Sequence, residues 1–138
     1  MDIKISMSYI DDEKFSVKNN SGNNLIVDMY AENKKEHMSP MELLLSALTT
    51  CAAVDIVSMI KKRRRDFKDI KAISSGKRVD DSPRYYKSID IKYLIFSSDL
   101  KDNEAERFIS LAISKYCSVG ATIRPDTILN HCFEIIRD

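Results

Sequence analysis

Ser39-Pro40-Met41-Glu42-Leu43-Leu44-Leu45, running on through Cys51 and Val54-Asp55-Ile56-Val57 to Lys61-Lys62, decides how this chain is built. Ser39 suits a helix N-cap, and Pro40 suits the first helical position, where a missing N–H is harmless. Glu42 stands three residues after Ser39, as in a capping box. From Met41 onward the residues are apolar on nearly every face, through Leu48, Val54, Ile56-Val57 and Met59-Ile60. A helix apolar all round has to be enclosed. At 1.5 Å per residue this helix spans about 34 Å, more than a chain of 138 residues readily encloses. A second subunit is therefore expected over part of it. Residues 43–60 also have the look of a membrane span followed by positive charge. Asp55 inside that stretch, with Ser46, Thr49, Thr50 and Ser58, counts against it, so no membrane is expected.

Upstream, Ile3, Ile5 and Met7 alternate with polar residues, and Phe15 to Val17 and Leu25 to Val27 form two further apolar alternations. Asn19-Asn20-Ser21-Gly22-Asn23 is turn chemistry, so 15–28 reads as a hairpin and the polar 32–37 as a loop. Downstream, 69–79 is an irregular strand. The stretch 88–96 is a clean one, with Ile89, Ile91, Tyr93 and Ile95 on one face. Asp80-Asp81-Ser82-Pro83 is the turn between them. Ala105, Phe108, Ile109, Ala112, Ile113 and Tyr116 fall at helical steps and predict a helix over 102–116. Cys117 follows at its end, then a short helix over 118–123 and a last strand over 130–136. Strands, helix, strands, helix, strand is an α+β fold, expected as one domain over 1–138.

Composition narrows the function. A net charge of +1 gives no bulk electrostatic case for nucleic acid. The one basic run, Lys61 to Arg65, reads as a solvated helix end whose cations complement the last carbonyls. A phosphate site would want a Gly-rich loop or interleaved aromatics, and neither accompanies it. The first fifteen residues lack the apolar core of a signal peptide, so a cytoplasmic location is expected. Cys51, Cys117 and Cys132 are odd in number and widely spaced, which is not a disulfide framework. On the residues alone, Cys51 and Cys117 are either inert core thiols or redox-active ones. With His37 and His131 they offer no close-spaced ligand pair, so neither metal nor cofactor is expected.

The stretch from Ser39 to Val57, taken with Lys115-Tyr116-Cys117-Ser118-Val119, resembles the OsmC/Ohr family, in particular the OsmC-like branch with Ser-Pro-Met-Glu before the first cysteine. The resemblance implies antiparallel sheets wrapped around long central helices in an intertwined homodimer. It also implies thiol-dependent reduction of organic hydroperoxides, with Cys51 peroxidatic, Cys117 resolving, and a small dithiol or lipoyl-type molecule as reductant. The chemistry is coherent: a thiolate attacks the O–O bond to give a sulfenic acid, and a second thiol condenses with it.

Two positions depart from the family pattern of an arginine in the N-terminal strands and a glutamate directly after the proline. No arginine precedes Arg63, and Met41 follows Pro40, with Glu42 one place later. Glu42 is thus a candidate catalytic carboxylate and equally a capping-box residue. On an ideal helix the step from Glu42 to Cys51 turns about 180° around the axis. Glu42 would reach that thiol only across a dimer interface or from an unwound first turn. These departures keep open a non-catalytic or weakly catalytic redox-sensing or binding protein of the same fold. Asp55 lies one turn after Cys51 and is expected to be hydrogen-bonded for structure, while Cys132 is expected to be structural.

Overall fold

Period-two alternation at the start of the chain becomes an antiparallel meander of β1 (Ile5–Asp11), β2 (Lys14–Asn19) and β3 (Asn24–Asp28). In this computed structural model, which describes residues 1–137, Met1–Leu44 forms one unit and residues from 45 on form another. The β2–β3 turn closes through Asn19: its carbonyl accepts from Gly22 N and its side-chain oxygen from Asn23 N. Gly22, at φ 87°, takes the left-handed conformation that glycine adopts without a Cβ clash. Register puts Met7, Val17 and Leu25 side by side, and likewise Tyr9, Phe15 and Val27. The meander thus carries one apolar face. After a 3-10 turn (Glu32–Lys34) the chain enters α1 (Pro40–Lys62). Ser39 Oγ accepts from Glu42 N and the Glu42 carboxylate accepts from Ser39 N, completing the expected capping box.

In the second unit, β4 (Asp69–Arg78), β5 (Tyr86–Phe96) and β6 (Ile128–Ile136) form a sheet in the order β4-β5-β6. The β4–β5 pair is antiparallel, but β5–β6 is parallel, which corrects the expectation of purely antiparallel sheets. The reason is the connection. Between β5 and β6 run α2 (Asp102–Leu111), a π-helical turn (Ala112–Tyr116) and α3 (Ser118–Thr122), a crossover long enough to return the chain in the same direction. The π turn is a further difference from the single helix expected over 102–116. Cys117 N donates to Ala112 O five residues back, and Cys117 then leaves the helix in an extended conformation.

Ile89, Ile91, Tyr93 and Ile95 of β5 are buried, as are Leu48, Ala52, Ile56 and Ile60, one α1 stripe at four-residue steps. The rest of α1 is less covered, and Val54 is 70% exposed. By length and composition alone α1 could cross a membrane. It ends in a Schellman-type cap: Arg65 N donates to Ile60 O and Arg64 N to Lys61 O, with Arg64 itself at φ 61°. The basic run is not simply solvated. Arg63 and Arg65 both bond the buried Glu104 near the start of α2, at 2.8 and 2.9 Å.

Candidate active site

The second unit brings Cys51 and Cys117 together. Cys51 sits part-buried in the middle of α1, and Cys117 is buried where the π turn gives way to α3. The two sulfurs are close enough that each shifts the other's acidity. The sulfur of Cys117 also caps α3, a task usually left to Ser, Thr, Asp or Asn: Gly120 N donates to Cys117 Sγ at 3.2 Å. On its other side Cys117 Sγ lies 4.0 Å from Leu48 O, one turn before Cys51. Gly120 is close enough that an added Cβ would meet Ile113 O at 3.2 Å and Cys117 Sγ at 3.5 Å.

The first amides of α3 are shared between the two sulfurs and make them unlike. At Cys51 the Val119 amide is the main influence and draws the thiol below its ordinary value. The Cys117 thiol and the Ser118 amide help, against burial and the negative charge of Asp55. At Cys117 burial dominates and pushes the thiol up, with the Gly120 amide opposing it and Cys51 adding to the rise. The arrangement therefore favours a thiolate on Cys51 facing a protonated Cys117, the division of labour that an attacking and a resolving thiol require.

Tyr93 backs the pair. It is fully buried, and its hydroxyl donates to Thr49 O at 2.8 Å, two residues before Cys51. Burial pushes its pKa up, and the two sulfurs add to the rise. The Thr49 hydroxyl donates to Leu45 O, so the 2.6 Å contact with Ser74 Oγ is donated by Ser74. Both β4 and β5 thus grip α1 just ahead of Cys51.

The other sequence candidates fall elsewhere. Glu42 is engaged at the α1 cap, and its carboxylate also lies 3.7 Å from Lys35 Nζ; Ser39 is what chiefly holds it below its usual range. Cys132 is exposed and pairs with Lys92, on the sheet face opposite Tyr93. His131 Nε2 lies 3.0 Å from Glu106 Oε1, and His37 Nδ1 lies 3.4 Å from Asp28 Oδ2. The expected structural hydrogen bond of Asp55 is not made: among the described residues no hydrogen bond or ion pair reaches its part-buried carboxylate.

Sequence reading missed the Ser118, Val119 and Gly120 amides, the Tyr93 hydroxyl and a buried carboxylate at Asp28. For Tyr93 a signal existed, since a tyrosine on a buried strand face needs a partner for its hydroxyl. Asp28 takes the Lys35 ammonium and the Glu36 and His37 amides. Burial would push its pKa up, but these donors outweigh it and hold the carboxyl far below the usual range. It thereby fastens the loop leading into α1.

Residues 32–131 match the family described as OsmC-like protein. The protein YhfA of Escherichia coli is 31% identical over 116 residues, which are 84% of this chain and 85% of that one. A crystal structure of a hypothetical protein from Aquifex aeolicus superposes with a TM-score of 0.88 at 29% identity, over 100% of this chain and 98% of that one. The organic hydroperoxide resistance protein OhrB of Bacillus subtilis superposes with a TM-score of 0.63 at 14% identity, over 99% and 98% of the two chains. At that identity the likeness is one of fold.

Proposed function

The chain belongs to the OsmC-like protein family, and from that premise we propose that it is a thiol-dependent peroxidase acting on organic hydroperoxides. The observation that carries the reading is the adjacent pair of unlike thiols, Cys51 drawn toward the thiolate and Cys117 pushed toward the protonated form. The Cys51 sulfur attacks the terminal oxygen of ROOH. An S–O bond forms, the O–O bond breaks, and the products are Cys51 sulfenic acid and ROH. Cys117 then displaces water to give a 51–117 disulfide. An external small dithiol or lipoyl-type reductant returns both thiols. The amides of α3 take the part that an N-terminal arginine would otherwise play. The apolar residues of α1 around Cys51 favour bulky organic peroxides over hydrogen peroxide.

A homodimer of 1–138 single-domain chains belongs to the same proposal. It is supported by the apolar side chains that one copy leaves open: Val54 on α1, and Met7, Tyr9 and Leu25 on the meander. A second reading, redox sensing without efficient turnover, is favoured by one observation, the engagement of Glu42 at the helix cap.

The experiment is peroxide consumption by the purified protein with cumene hydroperoxide and a dithiol. The proposal expects turnover that Cys51→Ser abolishes. Unchanged turnover in that variant sinks the assignment, and Cys51 oxidation no faster than that of a free thiol selects the sensor.

A further inference from the structure

The only charged residue between Glu42 and Lys61 on α1 is Asp55. No hydrogen bond or ion pair among the described residues gives this part-buried carboxylate a structural role. Its position is specific. It follows Cys51 by one helical turn, which sets the two side chains on one face with Cβ atoms about 5–6 Å apart. Around the Cys51 sulfur stand the Cys117 thiol, the Ser118 and Val119 amides, the Tyr93 hydroxyl on β5 and Asp55 itself. The Tyr93 proton is committed to Thr49 O, and the amides cannot release theirs. Apart from the Cys117 thiol, which the resolving step uses and whose sulfur caps α3, Asp55 is the group left that can carry a proton without losing a structural bond.

Peroxide reduction needs such a carrier. The Cys51 thiol must lose a proton as its sulfur gives two electrons to the terminal peroxide oxygen, and the alkoxide released when the O–O bond breaks must gain one. We propose that Asp55 is the proton-transfer residue of this site, taking the proton from Cys51 and delivering it to the departing alkoxide. Atoms and electrons balance: Cys51–SH and ROOH become Cys51–SOH and ROH, and the Asp55 carboxylate is regenerated. A resting cost accompanies this role, because the charge on Asp55 opposes the Cys51 thiolate. Asp55 therefore works against the amides before the peroxide arrives and with them once the O–O bond opens.

This inference rests on the peroxidase reading, and the test separates the two. Wild-type protein is first mixed with cumene hydroperoxide, and an inert wild type overturns that reading together with this one. With an active wild type, Asp55→Asn is compared in two measurements: the Cys51 thiol pKa, from the ultraviolet absorbance of the thiolate, and the rate of sulfenic acid formation in stopped flow. Removing the negative charge should lower the thiol pKa and leave more thiolate at neutral pH. The oxidation rate should nevertheless fall, by about a hundredfold. Asp55→Glu, which keeps a carboxylate, should recover most of that loss. A rate in Asp55→Asn equal to or above that of wild type would overturn the proposal and leave Asp55 as a brake on the thiolate. Should Asp55→Asn fail to fold, Asp55→Ser is read by the same two measurements with the same outcomes.

Discussion

At Cys51 the Val119 amide outweighs burial, and at Cys117 burial outweighs the Gly120 amide, so two identical side chains are held at different acidities. The identity of the pair was legible in the sequence, because each cysteine stands in a motif and the motifs occur in the family order. What makes the thiols unlike was not legible. Backbone amides belong to every residue but proline, and only the fold says which of them point at a sulfur. Glu42 shows the opposite case. Its spacing from Ser39 foretold the capping box, and that same spacing fixes its carboxylate at the helix start. At Asp55 the sequence reading supplied a hydrogen-bond partner that is not found among the described residues. A carboxylate four residues after a thiol is as compatible with a structural bond as with proton transfer, and only the neighbouring side chains decide.

Among the elements, α1 was readable at both ends for different reasons. Ser39, Pro40 and Glu42 mark its start by chemistry. Its end falls where the apolar run stops, although the residue in the left-handed position is Arg64 rather than the expected glycine. The π turn was hidden because Ala112, Ile113 and Tyr116 keep helical spacing whether the bonds reach back four residues or five. The parallel pairing of β6 was hidden because strand direction is set by the crossover and leaves no periodicity of its own. One contact between elements has a measurable signature. Hydrogen bonds from Arg65, then Arg63, hold the Glu104 carboxyl down to about 2. A folded-state value below the unfolded one stabilises the protein above the ordinary carboxylate range, and that contribution is lost as pH falls toward 2. Glu104→Gln should therefore lower the midpoint of thermal unfolding at neutral pH, and the gap from wild type should close on acidification. A gap that stays constant down to strongly acidic pH would show that the clasp between α1 and α2 is not electrostatic.

On the scale of the whole molecule, the length of α1 against the size of the chain is what supports the proposed partner. Its buried stripe, Leu48, Ala52, Ile56 and Ile60, leaves Val54 open in a single copy. Sedimentation equilibrium at micromolar concentration should show a dimer with no folded monomer, and a stable folded monomer would refute the assembly. The central claim, that Cys51 attacks and Cys117 resolves, joins the middle of α1 to the start of α3. Cys132, on the opposite face of the sheet from Tyr93, is kept out of that exchange. Forming the bond requires the two Cα atoms within about 7 Å in an accessible conformation. The most direct measurement is peptide mass spectrometry of the reduced protein after one equivalent of organic hydroperoxide. The account predicts an intramolecular 51–117 disulfide as the dominant linkage with Cys132 free, and in Cys117→Ser a Cys51 sulfenic acid that persists and then over-oxidises. Cys132 in the main linkage, or Cys51 untouched while Cys117 oxidises, would contradict it.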